Sequence, residues 1–394
     1  MKRVYVGLLL FYLVLHFVFP LIYYSIYGFF TIYSDQEYNL SVLKGVALNF
    51  IAVGGAIFCI RFLPERRKLI QPRFNHGFSF LMIAAVILVV GIIQAGGYEG
   101  ILEGKQHGAL TSYLSLIFDS TTALVLFVLF QKKINYPIVI LLGYILLMTL
   151  TGSRSAIILV VLIGLMGPAF QNGLEIKKKI WRFASFIGIL SPFLFYYATS
   201  VRQEVDTALL YQLIIGRISM VESSAIPIEG KDKKLMDTEL FSRKYGFVNQ
   251  IKQSANEISP IDPFEHDINP NQYYRAIFKG AREENAGLSY MSMNMTLPVY
   301  LYMKTNFFFA SVLSIAFLTL LYYCWIRNSN NIYILILVML NIYYILQYFD
   351  WVMLTAGFFR TYLTILTLKL FEKFTTIGIA AIKKGFMIAP DAKL

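Results

Sequence analysis

Long apolar runs with few charges constrain this chain more than any other feature. A helix needs roughly 20 mainly apolar residues to cross a bilayer, and only a helix satisfies its own backbone hydrogen bonds in lipid. About ten segments of the 394 residues meet this criterion. The predicted spans lie near residues 4–27, 40–60, 77–94, 113–130, 137–150, 156–170, 180–200, 296–325, 332–349 and 352–371. The fold class we predict is an all-α polytopic membrane protein.

The composition agrees with this class. Charged residues make up 15% of the chain, whereas soluble domains carry about 25%. The formal net charge of +12 would indicate a nucleic-acid partner in a soluble protein. Here the basic residues stand between apolar runs, where they meet membrane lipid headgroups, so we expect no nucleic acid.

Basic residues are concentrated in every second connection between the predicted spans, and this pattern predicts the orientation of the spans. Short cytoplasmic connections are rich in Lys and Arg. Taking the N-terminus as cytoplasmic, the inner segments hold Lys2, Arg3, Arg61, Arg66, Arg67, Lys68, Arg73, Lys132, Lys133, Lys177, Lys178, Lys179, Arg182, Arg327 and the lysines after Lys369. The short outer segments hold only Lys44, Lys105, Arg154 and Arg360. We therefore predict that both termini are cytoplasmic, with the first helix retained.

The same count divides the chain into three parts. Residues 1–200 hold spans one to seven, residues 201–295 form one large outer loop, and residues 296–394 hold spans eight to ten and a cytoplasmic tail. The loop begins with a periodic stretch, residues 202–224, that we interpret as a continuation of the seventh helix. Asn269 and Pro270 predict a helix start, and Gly287 a helix end. We expect the loop to be structured.

Arg154 is the most informative single residue. It stands in Thr151-Gly152-Ser153-Arg154-Ser155, a polar break between two short apolar segments. An arginine at such a chain reversal is a functional candidate when its guanidinium faces a cavity. The alternative is an arginine that reaches up to the lipid headgroups at a hairpin tip.

Two further arginines, Arg202 and Arg217, open the outer loop. A guanidinium group can donate two parallel hydrogen bonds to the oxygens of one phosphate group. Converging arginines are therefore what a diphosphate-bearing ligand requires. On a continuous helix the two would lie within roughly 60° of each other around the axis. The alternative is ordinary surface ion pairing, Arg202 with Glu204 or Asp206 and Arg217 with Glu222.

The predicted helix after Pro270 carries a second basic stripe. Arg275, Lys279 and Arg282 have i, i+4 and i+7 spacing, which places them on one face beside Tyr273, whose ring could stack on a sugar. A solvated face with interfacial aromatics would show the same pattern.

His266 has carboxylate neighbours that could orient it as a proton acceptor, although a lone loop histidine is commonly a bystander.

Other chemistries have no signal in the sequence. Cys59 and Cys324 are far apart, which leaves no disulfide framework, and we find no paired metal ligands. Phosphate-cradling loops, dinucleotide fingerprints and Gly-x-Ser-x-Gly elbows are also missing from the sequence. We expect neither a cofactor nor a metal.

Taken together, about ten spans, one large outer loop and Gly152-Ser153-Arg154-Ser155 resemble the O-antigen polymerases, the Wzy-type oligosaccharide repeat-unit polymerases of bacteria. The resemblance implies a GT-C-like glycosyltransferase of the inner membrane with a periplasmic loop. Its substrates would be undecaprenyl-diphosphate-linked oligosaccharides, as donor and acceptor, and it allows a chain-length regulator protein as a partner. Carried over, Arg154 is the motif arginine and Arg202 and Arg217 are the loop arginines.

The implied reaction needs charge stabilisation and a base. Breaking a glycosyl-phosphate bond develops negative charge on the diphosphate, which preorganised arginines stabilise. His266, Glu222 and Glu204 are the candidates for deprotonating the acceptor hydroxyl. Three other functions stay open at this point: an O-antigen ligase, a lipid-linked glycan transporter and a non-catalytic assembly protein.

Overall fold

The structure is a computed structural model, which describes residues 2–27, 39–64, 215, 219–234, 295–327, 338, 341–342, 345–346, 349 and 351–387. Every regular element in these ranges is helical. The chain divides into two compact units, one of residues 1–69 with 204–358 and one of residues 70–203 with 359–394. Six of the helices described below lie in the first unit, and the seventh crosses the boundary.

The first helix coincides with the first predicted span. Helix α1 (Lys2–Leu13) passes through a π-helical turn, Val14–Val18, into helix α2 (Phe19–Tyr27). Pro20 explains the turn, because proline has no N–H to donate and its ring crowds the carbonyl one turn earlier. Residues Tyr5–Ile26 are long and apolar enough to cross a membrane.

The second span is also where we predicted it. Helix α3 (Asn39–Phe62) is uninterrupted, and its Leu40–Phe62 portion can cross a membrane. Lys2 Nζ donates to the carbonyl oxygens of Arg61 and Leu63, so the start of α1 meets the end of α3. Arg327 Nε donates to the carbonyl oxygen of Pro64 at 3.0 Å. Lys2, Arg61 and Arg327 thus share one end of the unit, which we call the Lys2 end.

The prediction of one span over residues 296–325 is wrong in its extent. The segment forms helix α5 (Leu297–Lys304) and helix α6 (Phe307–Leu320), which continues into the π-helical segment Leu321–Arg327. The Asn306 side chain accepts from Phe309 N–H at 2.9 Å and caps α6, which separates the two helices. Only Phe307–Cys324 qualifies as a span.

Aromatic side chains and close helix contacts form the core of the first unit. Tyr5 packs on Tyr322 with ring centroids 5.6 Å apart, and its hydroxyl donates to Leu318 O at 3.2 Å. Helices α3 and α6 approach closely at Gly55, where an added Cβ would lie 2.5 Å from Ile315 Cδ1. Small residues permit such contact between membrane helices.

Large apolar side chains are exposed along the three spans found among the described residues. Those with about half or more of their surface exposed include Leu10, Val14, Phe19, Ile22, Ile26, Leu43, Phe58, Phe62, Phe308, Phe309 and Leu320. Water would penalise such a surface, whereas lipid does not. Length, composition and exposure together describe a helical membrane protein.

One helix, α7 (Trp351–Met387), contains the whole tenth predicted span. Its 37 residues extend about 55 Å at 1.5 Å per residue, well beyond a bilayer core of about 30 Å. In the second unit, buried Thr361, Thr364, Ile365 and Leu368 follow i, i+3, i+4 and i+7 spacing, and define the inner face of the helix.

Candidate functional site

Glu222 is the one predicted site residue that the structure reaches. It stands on helix α4 (Met220–Asp232), although its side chain is not among the described ones. The remaining predicted site residues lie outside the described ranges: Arg154, Arg202, Glu204, Arg217, His266, Tyr273, Arg275, Lys279 and Arg282. Their roles stay predictions.

The predicted continuous helix over residues 202–224 is wrong at its C-terminal end. Ser219 has an extended backbone, with φ −72° and ψ 122°, and its hydroxyl accepts from Val221 N–H at 3.1 Å. Ser219 is therefore the N-cap of a new helix, and serine favours this position because its oxygen satisfies an unpaired amide. The helical phase that we used to align Arg202 with Arg217 does not continue into α4.

Helix α4 is buried in the first unit, although it comes from the long hydrophilic stretch. Val221, Ser224, Ala225, Ile226 and Ile228 have no exposed surface. The helix packs against α3 at Gly45, where an added Cβ would lie 2.9 Å from Ser224 Cβ and 3.2 Å from Ile228 Cδ1. This part of the predicted loop is thus a component of the helical core.

Three polar side chains join α3, α4 and α5, and we call them the clamp. Lys44 Nζ donates to Asp232 Oδ2 at 2.7 Å and to the Tyr302 hydroxyl at 2.6 Å. The Tyr302 hydroxyl in turn donates to Asp232 Oδ1 at 2.5 Å. Lys44 and Arg61 are 17 positions apart on α3, about 26 Å along its axis. The clamp therefore lies far from the Lys2 end, at what we call the Lys44 end.

Two of the clamp side chains are only partly buried. The Lys44 side chain is 30% exposed and that of Asp232 is 34% exposed. Burial alone would raise the pKa of Asp232, but hydrogen bonds from Lys44 and Tyr302 outweigh it and hold the pKa below its ordinary value. Asp232 is therefore ionised at neutral pH, which makes it a counter-charge and a poor general base.

Lys231 attaches the end of α4 to the end of α5. Its ammonium donates to the carbonyl oxygen of Tyr302, in the last turn of α5, and to that of Thr305, the C-cap residue. A cation at a helix C-terminus also interacts favourably with the helix dipole. Burial lowers the pKa of Lys231, with Asp232 opposing this shift and the Lys44 ammonium adding to it.

A second set of contacts joins α3 to α4. The Ser41 hydroxyl donates to Glu229 Oε2, and Lys233 forms an ion pair with Glu229 Oε1. Burial raises the pKa of Glu229, but the hydrogen bonds from Lys233 and Ser41 outweigh it, so the pKa is lowered overall. Glu229 therefore remains a carboxylate and holds the last turn of α4 on the first turn of α3.

Lys304, at the end of α5, packs on a different ring. Its Nζ lies 4.7 Å from the centroid of the Tyr300 ring, at cation–π distance. Burial lowers the pKa of Lys304 to about 8. Desolvation causes this shift, so Lys304 is not counted with the charges around Lys44.

We call these five side chains the Lys44 cluster: Lys44, Lys231, Lys233, Glu229 and Asp232. Lys44 pairs with Asp232, Lys233 pairs with Glu229, and the Lys231 ammonium binds backbone carbonyl oxygens. Tyr302 lies among them, with Lys44 Nζ 4.7 Å and Lys231 Nζ 4.4 Å from its ring centroid. The arrangement can bind an anion between Lys44 and Lys231, which are held on two different helices.

The sequence analysis missed the Lys44 cluster, although one signal for it was present. Lys44 is a cation only five residues into an apolar run, and a charge within a span is a functional candidate by default. It was counted only as an outer-segment charge. Its partners come from positions 232 and 302, and no local pattern connects residues so far apart.

The described residues contain no group of three His, Cys, Asp or Glu side chains arranged to hold a metal ion. Comparison with protein-family models, with characterised proteins and with solved structures finds no match for this chain.

Proposed function

We propose that this protein is a membrane glycosyltransferase that polymerises undecaprenyl-diphosphate-linked oligosaccharide repeat units at the periplasmic face of the bacterial inner membrane. The growing glycan moves from its lipid diphosphate onto a new repeat unit. The resemblance of the ten predicted spans and the Gly152-Ser153-Arg154-Ser155 segment to the O-antigen polymerases supports this proposal.

The structural observation that carries the proposal is the burial of α4. A loop that only connects spans is expected to stay in water, because its polar backbone is costly to bury. Helix α4 instead packs into the unit, and it begins three residues after Arg217. A catalytic loop that must hold a diphosphate against the membrane needs such an attachment.

The contacts at the Lys2 end support the orientation that this function requires. Lys2, Arg61 and Arg327 share that end, and the count of basic residues in the short connections assigns all three to the cytoplasmic side. The Lys44 end then faces the periplasm. Lipid-linked repeat units on that side would meet the end of the bundle at which α4 is clamped.

The reaction follows from the chemistry of the donor. The bond between the anomeric carbon and the diphosphate oxygen breaks, and a hydroxyl of the acceptor sugar forms the new glycosidic bond. Arg154, Arg202 and Arg217 stabilise the charge on the departing diphosphate. One of His266, Glu222 and Glu204 takes the hydroxyl proton. The donor carries its own leaving group, so neither a nucleotide sugar nor a metal is consumed.

Deletion of the gene, followed by gel separation of surface and lipid-linked glycans, tests the proposal. We expect glycan with a single repeat unit in the deletion strain and a ladder once the gene is restored. Arg154→Ala should behave as the deletion at equal protein abundance. Arg61→Ala, an exposed arginine at the Lys2 end, is the matched control and should restore the ladder.

Two results would contradict the proposal. Long lipid-linked polymer that accumulates without reaching its final acceptor would indicate a ligase. A full ladder in the deletion strain would show that the protein is not the polymerase. A full ladder in the Arg154→Ala strain would show that Arg154 is not required for polymerisation.

A further inference from the structure

The Lys44 cluster is part of neither the predicted arginine site nor the candidate bases. Lys44 and Lys231 come from α3 and α4, and both ammonium groups lie within 5 Å of the centroid of the Tyr302 ring. The Lys44 ammonium adds to the lowering of the Lys231 pKa, so the two like charges repel each other. An anion beside them offsets this repulsion, and Asp232 supplies one negative charge for the pair.

Counting hydrogen-bond donors shows what the two ammonium groups can still do. Each carries three N–H donors. Lys44 uses one on Asp232 and one on Tyr302, and Lys231 uses one on the Tyr302 carbonyl and one on the Thr305 carbonyl. One donor on each lysine is therefore left for an external acceptor. The 30% exposure of Lys44 gives that acceptor access.

The position of the cluster selects the class of anion. Lys44 lies in the first turns of a membrane span, and Tyr302 lies five residues before another span. Tyrosine rings beside lysines at the ends of spans mark the level of the lipid headgroups. The anions at that level are the phosphates of lipids, and basic clusters at the membrane surface recognise them.

We propose that the Lys44 cluster binds the phosphate group of a membrane lipid, with Lys44 and Lys231 as its hydrogen-bond donors. Two lipids carry this chemistry: an anionic phospholipid and the polyprenyl diphosphate that carries the glycan. The second identification rests on the proposed function, whereas phosphate binding itself does not.

Binding can be measured on the purified full-length protein without turnover. The protein would be placed in phosphatidylcholine nanodiscs that contain either phosphatidylglycerol or undecaprenyl diphosphate. Native mass spectrometry would then count the lipid molecules that stay bound to the protein. The loss of one charge-assisted hydrogen bond lowers the affinity about tenfold. We therefore expect roughly a hundredfold loss in Lys44→Gln/Lys231→Gln, assuming additive losses. Lys373→Gln on α7, an exposed lysine of the second unit, is the matched control and should bind as the parent protein does.

A second measurement leaves the clamp intact. Reductive ¹³C-methylation of lysines allows the titration of Lys231 to be followed by NMR, with Lys231→Arg identifying its signal. Burial lowers the pKa of Lys231, and a bound phosphate should raise it relative to the protein without lipid phosphate. This result does not depend on whether the double variant folds.

The outcomes are distinct. Preference for undecaprenyl diphosphate over excess phosphatidylglycerol identifies the site as part of the substrate path, and equal retention of both identifies a headgroup site. Equal binding by the parent and the double variant, with an unchanged Lys231 titration, overturns the proposal. Failure of the polymer ladder test would leave phosphate binding standing, because no glycan is involved in this experiment.

Discussion

The contact between α3 and α4 at Gly45 makes a quantitative prediction. In Gly45→Ala the new Cβ would stand 2.9 Å from Ser224 Cβ, a distance that real Cβ atoms essentially never show. The helices must separate or α4 must shift. Overpacking of this kind costs about 1–3 kcal/mol, and the better helix propensity of alanine returns up to about 1 kcal/mol. We expect net destabilisation of about 1–2 kcal/mol.

Gly54 provides the matched control on the same helix. An added Cβ there meets no atom within 4 Å, so Gly54→Ala should be neutral or stabilising by up to about 1 kcal/mol. The assay is reversible unfolding of both variants in the same detergent. Because the clash is with Ser224 Cβ, Gly45→Ala combined with Ser224→Gly should cost less than the two single changes added together.

Two results would refute this reasoning. If Gly45→Ala and Gly54→Ala have the same stability, α4 does not pack on α3 as described. If the costs of Gly45→Ala and Ser224→Gly simply add, the two residues are not in contact.

Three further predictions concern the clamp and the motif arginine. Tyr302→Phe keeps the ring but removes a hydroxyl that binds both Lys44 and Asp232, so it should lower the free energy of unfolding by about 1–3 kcal/mol in detergent, and an equally stable variant would contradict the clamp. The pKa of Asp232 is lowered in the folded protein, so ionised Asp232 stabilises the fold at neutral pH, and this contribution is lost as pH falls below about 4. The difference in the free energy of unfolding between the parent protein and Asp232→Asn should therefore shrink over that range. A constant difference would argue against the ion pair. Arg154→Lys should leave little polymer on gels, because lysine cannot reproduce the paired hydrogen bonds of a guanidinium; a normal ladder would indicate charge screening alone.

Local patterns in the sequence predicted the spans well where they were uninterrupted. The predicted spans at residues 4–27 and 40–60 coincide with Tyr5–Ile26 and Leu40–Phe62. Apolar length alone determines such elements, because a lipid-embedded backbone has no alternative to the helix.

The errors arose where one side chain decides whether a helix continues. Ser219 and Asn306 each cap a helix, and both stand inside stretches whose periodicity or apolarity suggested continuity. A cap is recognisable in hindsight, yet serine and asparagine also occur inside helices, so composition cannot distinguish the two cases.

The Lys44 cluster was missed for a different reason. Lys44, Asp232 and Tyr302 come together only because α4, which belongs to the hydrophilic stretch of the sequence, packs against other helices. Burial of α4 depends on its fit to Gly45, a tertiary contact that no sequence period encodes. Long-range pairing of charges is therefore visible only in the folded chain.

Reconstitution of the purified protein in liposomes with a lipid-linked oligosaccharide repeat unit tests the central claim most directly. The account predicts a ladder of lipid-linked polymer in the presence of a chelator and without any nucleotide sugar, and no ladder with Arg154→Ala. A repeat unit that stays monomeric in liposomes containing correctly folded parent protein, or one that only changes leaflet, would contradict the assignment as a polymerase.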